Sequence, residues 1–295
     1  MSPRRVATAG FEPKVVHQLA AGIRRITAPN PGLMTGPGTN TYLLGHRDIV
    51  VIDPGPDHAG HVGAIVRAAG RRNVAGIVLT HTHPDHWPGA RRLQAMTGAP
   101  IATAARPPRA DAFDLPVAHR LHDRTKVPWT DIDAVALHTP GHAPNHVCIW
   151  IAATGALFTG DHVLDGTTTV VSPSRGGDMG AYLASLRRLR RLRGLRAMYP
   201  AHGDMITNPD RKLADYIGHR QLRERQILRC LRAGDLTPRE LVDAIYTDTP
   251  AGRPGGLPDG LVEMARHQIH AHLIRLRADG RVVGRDLRSR WALAR

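Results

Sequence analysis

A chain of 295 residues that is 42% hydrophobic is long enough to bury one large core, or a large core and a small one. It contains no apolar run of transmembrane length, and its two cysteines, Cys148 and Cys230, exclude a disulfide framework. The formal charge of +15 leaves a polyanionic partner open as one reading, with a generally basic surface as the other.

Residues 41–44 and 49–52 read as paired strands about the turn Gly45-His46-Arg47-Asp48. Residues 61–69 predict a helix and 76–80 a buried strand. A second helix is expected over 88–96, with Pro88 in its first turn, where the missing N–H costs nothing. Short strands follow at 101–103, 134–138, 147–152 and 156–159. This alternation predicts a layered α/β fold. Leucines at 183, 186, 189, 192 and 195 predict a helix over 182–198 with one apolar face and solvated arginines on the other. The character changes after Pro209. A long basic helix is expected over 210–233. A second covers 237–246, with Thr237 as N-cap and Pro238 at N1. A Gly/Pro-rich loop over 247–258 leads to a helix over 259–278 and a hairpin around 281–284. Helix, helix and hairpin is the winged-helix order, so the boundary is placed at 209/210. The N-terminus, Met1-Ser2-Pro3-Arg4-Arg5, is followed by no apolar stretch, and a cytoplasmic protein is expected.

The segment Thr80-His81-Thr82-His83-Pro84-Asp85-His86 directly follows one predicted strand and precedes a helix. Residues i and i+2 of an extended segment face the same side, so His81 and His83 can grip one ion. The turn into the helix throws Asp85 and His86 toward a neighbouring position. Imidazole and carboxylate ligands suit Zn²⁺ at about 2.0–2.2 Å. Three more polar loops each close a strand-like run: Thr139-Pro140-Gly141-His142, Thr159-Gly160-Asp161 and Pro200-Ala201-His202-Gly203. A strand end holds a ligand on a rigid scaffold yet lets it reach a cleft.

This series resembles the metallo-β-lactamase superfamily over about residues 15–208. The family pattern is H-x-H-x-D-H, a lone His, a bridging Asp and a final His. The resemblance implies an αββα sandwich and a centre of two Zn²⁺ ions. His81, His83 and His142 would hold the first ion and Asp85, His86 and His202 the second, with Asp161 bridging them. Gly38-Thr39-Asn40-Thr41-Tyr42, Ile52-Asp53-Pro54-Gly55, Thr167-Thr168-Thr169-Val170 and Tyr216-Ile217-Gly218-His219-Arg220 look like the beta-lactamase-like protein 2 group. That group joins such a core to a C-terminal winged helix and includes a single-strand-specific endoribonuclease.

Two ions about 3.5–4 Å apart can generate a bridging hydroxide at neutral pH and stabilise the charge formed as it attacks. No protein nucleophile is then needed, and Asp85 is the candidate catalytic proton acceptor. Asn40, His162 and Thr168 are the candidate substrate contacts. His146 is read as a supporting or core histidine, Asp53 as a hydrogen-bond partner of the ligand loop, and His58 and His61 as a helix-start feature. His267, His270 and His272 lie together in the last long helix; His267 and His270 share a face, but no third ligand for them is evident.

A metal-dependent hydrolase is therefore expected. Its substrate is left between a small ester, thioester or lactone and single-stranded RNA, with a β-lactam third. For RNA, arginines of the helix over 210–233, Arg220 and Arg223 among them, would neutralise phosphates. A non-catalytic nucleic-acid binder is the reading from another class, but it has no need of a complete ligand set.

Overall fold

The computed structural model describes residues 11–70, 72–104, 112–246 and 259–294; the loop expected over 247–258 lies outside the described residues. The chain divides into two compact units, one of residues 1–139, 145–168 and 192–209 and the other of 140–144, 169–191 and 210–295.

The first unit holds a seven-stranded sheet whose strands lie in chain order. They are β1 (His17–Ala20), β2 (Ile23–Thr27), β3 (Asn40–Leu44), β4 (Asp48–Ile52), β5 (Asn73–Leu79), β6 (Ile101–Thr103) and β7 (His119–Arg120). β1 to β4 form an antiparallel meander; β4 to β7 pair in parallel. Parallel neighbours require crossovers, and α1 (Ala59–Ala69) and α2 (Pro88–Thr97) supply the first two. The second sheet has the order β11-β10-β9-β8, from β8 (Val135–His138), β9 (Val147–Ile151), β10 (Ala156–Gly160) and β11 (Ala197–Pro200).

The two-residue period of a strand divides the apolar side chains of the large sheet between two cores. Val50 and Ile52 of β4 join Tyr42, Val78, Ile149 and Phe158 between the sheets. Ile49 and Val51 join Val62, Ile65 and Leu93 beneath α1 and α2. Each such buried Val, Leu or Ile stabilises the fold by about 1.5–3 kcal/mol. Tyr42, Phe158 and Tyr199 anchor the inter-sheet core, with the Tyr42 ring edge-on to Phe158 at 5.0 Å.

Two features differ from the sequence reading. The helix expected over 182–198 is α3 (Met179–Arg190), capped by Asp178, whose carboxylate accepts from Ala181 N. Gly194, at φ 78°, lies between that helix and β11, which takes 197–200 into parallel pairing with β10. The leucine spacing ran on past the helix, and a tertiary partner decided the strand. β1 and β2 were not anticipated. Arg24 and Arg25 break the apolar signal of β2, yet both are buried, with Arg25 paired to Asp204 at 2.9 Å.

The second unit contains α3, α4 (Pro209–Leu231), α5 (Pro238–Tyr246), α6 (Asp259–Ala278), β12 (Val282–Val283) and β13 (Ala292–Leu293). A capping box starts α5: Glu240 Oε2 accepts from Thr237 N at 2.7 Å, and Thr237 Oγ1 accepts from Glu240 N. Ile227, Leu241, Ile245, Ile269, Leu273 and the fully buried Trp291 form its core. The wing closes less locally than the sequence suggested, because Val282–Val283 pairs with Ala292–Leu293. Gly284 is obligatory there: a Cβ would lie 2.2 Å from the Trp291 ring. No helix among the described residues is long and apolar enough to cross a membrane.

Candidate metal centre

Three strand ends of the first unit converge. Thr80 to His86 follow β5, Asp161 follows β10, and His202 follows β11. One donor atom from each of Asp85, His86, Asp161 and His202 lies within 4.8 Å of the others. Asp161 Oδ1 is 3.5 Å from His86 Nε2 and 3.2 Å from His202 Nε2. Asp85 Oδ2 is 3.4 Å and 3.2 Å from the same two nitrogens. The other Asp161 oxygen, Oδ2, lies 3.9 Å from His81 Nε2, which is in turn 3.0 Å from His83 Nδ1. One carboxylate thus presents one oxygen to each of two donor groups.

The histidines are oriented from behind. Asp53, 2% exposed, accepts from Thr80 N at 2.8 Å, from Thr80 Oγ1 at 2.6 Å and from His86 Nδ1 at 3.0 Å. Because the Thr80 hydroxyl donates to Asp53, it accepts from His81 Nδ1 at 3.1 Å. His202 Nδ1 donates to the Gly38 carbonyl at 3.1 Å. His81, His86 and His202 are therefore each held through a proton on Nδ1, which aims Nε2 into the site. Ring nitrogens facing carboxylates in a buried site call for positive charge, on protons or on a cation, and imidazole with carboxylate is a donor set for a divalent metal. Burial disfavours protonation of His202, but the Asp161 carboxylate outweighs it and holds the imidazole up at about 10. Burial likewise opposes charge on Asp85, yet the neighbouring His86 and His202 hold it well below the usual carboxylate range. The pocket demands positive charge, and a metal meets that demand as well as protons do.

His142 stands in the segment 140–144 of the second unit, where its Nδ1 donates to the Val170 carbonyl at 2.7 Å. It too is held through a proton on Nδ1. Asn40 is fully buried, and its carboxamide works inside the fold rather than at a substrate. Its Nδ2 donates to the carbonyls of Pro200 (3.0 Å) and Gly203 (2.8 Å), and its Oδ1 accepts from Thr27. It braces the loop that carries His202, beside Tyr42, whose hydroxyl also donates to Pro200 O. His162 is fully buried, its ring 5.6 Å from that of His146, so it is packed inside rather than presented to solvent. Thr168 is half-buried. His146 is buried, with Nδ1 2.9 Å from Thr139 Oγ1 and its ring 5.2 Å from that of His81. His58 Nδ1 accepts from His61 N at the start of α1, and His61 reaches Thr41 Oγ1 at 2.9 Å.

In the second unit Arg220 and Arg223 are 1% and 7% exposed, each with its guanidinium over a tyrosine ring, Tyr182 and Tyr246 respectively. They are interior residues rather than a solvated phosphate-binding face, because they lie on the side of α4 that packs inward. His272 is also buried, facing Glu224 at 3.4 Å, and Arg275 holds that carboxylate. The bracing role of Asn40 and the inward arginines carried no local signal; both depend on which surface the element meets.

A family profile described as Metallo-beta-lactamase superfamily matches residues 34–202, and one described as Beta-lactamase associated winged helix domain matches residues 255–291. The Beta-lactamase-like protein 2 homolog of Drosophila melanogaster is 30% identical over 290 residues, covering 90% of this chain and 91% of that protein. An Atrochrysone carboxyl ACP thioesterase of Aspergillus chevalieri is 34% identical over 251 residues, covering 80% of this chain and 76% of that one. The crystal structure of a Beta-lactamase domain protein from Burkholderia ambifaria shares the fold at 20% identity and a TM-score of 0.82, covering 98% and 97% of the two chains.

Proposed function

This chain belongs to the metallo-beta-lactamase superfamily of metal-dependent hydrolases, and we propose that it is a dinuclear zinc enzyme that hydrolyses an acyl thioester. The observation that carries the dinuclear reading is Asp161, with one oxygen toward His86 and His202 and the other toward His81. In this reading His81, His83 and His142 serve one ion, Asp85, His86 and His202 the other, and Asp161 both. Residues 1–209 are then the catalytic domain and 210–295 the winged-helix-like domain.

Two divalent ions would supply Lewis acidity and an acidified water at neutral pH. The chain's own contribution is orientation and proton handling. Asp53, Thr80 and Gly38 hold the imidazoles in the ligand tautomer. The Asp85 side chain is 29% exposed against 11% for Asp161, so it is the better placed to take a proton from water. As water adds to the thioester carbonyl, a C–O bond forms and the C–S bond breaks. The proton leaving the water goes to Asp85 and returns to the departing thiolate. Thioester chemistry is supported by the fungal thioesterase relative, which covers most of this chain.

The test is a substrate panel on zinc-loaded protein: acyl-CoA and carrier-bound thioesters, S-lactoylglutathione, lactones, nitrocefin and single-stranded RNA. Thioester turnover with two zinc ions per chain is expected. Turnover of RNA alone would replace the thioester reading. One observation favours that second reading: a cavity of about 370 Å³ in the second unit, lined by Arg225, Arg229, Arg232 and Arg281 with Leu222 and Leu228 and by no acidic side chain. Its guanidinium groups suit phosphates, but no aromatic ring lines it for a base to stack on.

A further inference from the structure

A short strap in the second unit, Thr169 to Val171, belongs to no helix or strand, yet side chains from three places hold it. Arg220 Nη2 of α4 donates to the Thr169 carbonyl at 2.5 Å. The Val171 N–H donates to Gln268 Oε1 of α6 at 2.7 Å. Between these two anchors, the Val170 carbonyl accepts from His142 Nδ1 at 2.7 Å. We infer that Arg220 and Gln268 are positioning residues for His142, acting through this strap, so that the C-terminal helices set the direction and tautomer of a metal ligand. The inference rests on His142 being a ligand, as proposed above.

The residues around His142 point the same way. The loop 140–144 is built onto α3. Ser185 Oγ donates to the Pro140 carbonyl at 2.8 Å, and the Asp178 N–H donates to the Gly141 carbonyl at 2.8 Å. Gly141, at φ 139°, touches the backbone of Tyr182 so closely that a Cβ would lie 2.2 Å from its Cα. The loop backbone is thereby fixed on one side. The imidazole on it is left with the torsions of its own side chain, and the Val170 carbonyl restrains those. A carbonyl only accepts, so it keeps the proton on Nδ1 and the lone pair on Nε2. The anchors matter because Val170 is bonded into no regular ladder; its carbonyl points where its two neighbours hold it.

The chemistry of Arg220 supports a role beyond packing. A guanidinium that is 1% exposed, stacked over Tyr182 at 5.3 Å and bonded to a backbone carbonyl, occupies a place that an aliphatic side chain of similar volume would fill without loss of hydration. What methionine or leucine cannot do is donate to the Thr169 carbonyl.

The experiment titrates the apo full-length chain with Zn²⁺ and with Co²⁺, against a chromophoric chelator, in Arg220→Met, Arg220→Lys, Gln268→Leu and His142→Ala. Outer partners of ligating histidines govern affinity by about tenfold to a hundredfold. Arg220→Met and Gln268→Leu should therefore weaken one ion by that factor, change the Co²⁺ absorption, and leave the other ion within about threefold. Arg220→Lys, which keeps a donor for the carbonyl, should recover most of the loss. A purely structural role would instead lower the apo melting temperature and weaken both ions alike, and that result overturns the inference. If Arg220→Met does not fold, the uncharged Gln268→Leu decides. His142→Ala separates the layers. If it leaves both ions at wild-type affinity, the ligand reading falls and takes the strap with it. If it weakens one ion while Arg220→Met and Gln268→Leu bind both normally, the strap alone is wrong.

Discussion

Asp53→Asn is the substitution that probes the centre most directly while leaving its backbone alone. Asp53 sits at φ 49°, in the left-handed region that asparagine also tolerates. Its two oxygens serve three donors: Thr80 N on Oδ1, and Thr80 Oγ1 and His86 Nδ1 on Oδ2. An amide has one oxygen. Turned one way, its N–H₂ meets Thr80 Oγ1 and His86 Nδ1, and both partners must reverse. The hydroxyl would then donate to His81 Nδ1, and His81 and His86 would each move their proton to Nε2, where it blocks a ligand position. Turned the other way, N–H₂ meets the Thr80 N–H and leaves a buried backbone donor unsatisfied next to His81. Either pose gives up at least one hydrogen bond to a charged group, about 1.5–3 kcal/mol. For a unit of this size that is roughly 3–12 °C in melting temperature. Ion affinity should fall about tenfold to a hundredfold. Differential scanning calorimetry of the apo protein and chelator competition measure the two effects. Wild-type melting together with wild-type ion affinity in Asp53→Asn would refute the claim that this carboxylate sets the tautomers.

Gly160→Ala, at φ 48°, would bring a Cβ to 2.6 Å from His146 Nε2 and 2.7 Å from Thr80 Oγ1, so it should destabilise by about 1–3 kcal/mol and weaken ion binding; an unchanged denaturation midpoint would count against this packing. Phe158→Ala, which empties the space between Tyr42 and Tyr199, should cost about 3–5 kcal/mol in urea unfolding. Burial holds His61 and His272 down at about 4, so the unfolded chain takes up protons first, from about 6.5. The stability from keeping them neutral is full above about pH 6.5 and is lost as pH falls toward 4; melts at several pH values should show this, with a shallower slope in His272→Gln, and parallel slopes would exclude His272 as a source. If single-stranded RNA binds, its log–log salt slope of about −0.7 per phosphate should shrink on replacing Arg225, Arg229 and Arg232 by alanine, and a flat dependence in the wild type would remove the RNA reading.

The ligand run from His81 to His86, the polar loops carrying Asp161 and His202, and the helix–helix–wing order after Pro209 were all legible in the linear sequence. These depend on short-range rules: short apolar runs next to turn residues for β4 and β5, proline at the start of α2, and Thr237 followed by Pro238 at the start of α5. Asp53 was also legible as a partner of the ligand loop, because the family pattern leaves this carboxylate outside the ligand set. Tertiary structure decided what depends on a second surface. β11 is a strand because β10 lies beside it, although its leading leucines continue a helical spacing. Arg24 and Arg25 lie inside a sheet, and Arg220 and Arg223 inside a helical unit, because a long cation can be buried wherever a carbonyl, a carboxylate or an aromatic face meets it. Asn40 braces a loop 160 residues away in the chain, and Val170 holds His142 from 28 residues away. Periodicity within one element says which residues share a face, but not which neighbour that face will meet, and hydrogen bonds such as these are chosen by the neighbour.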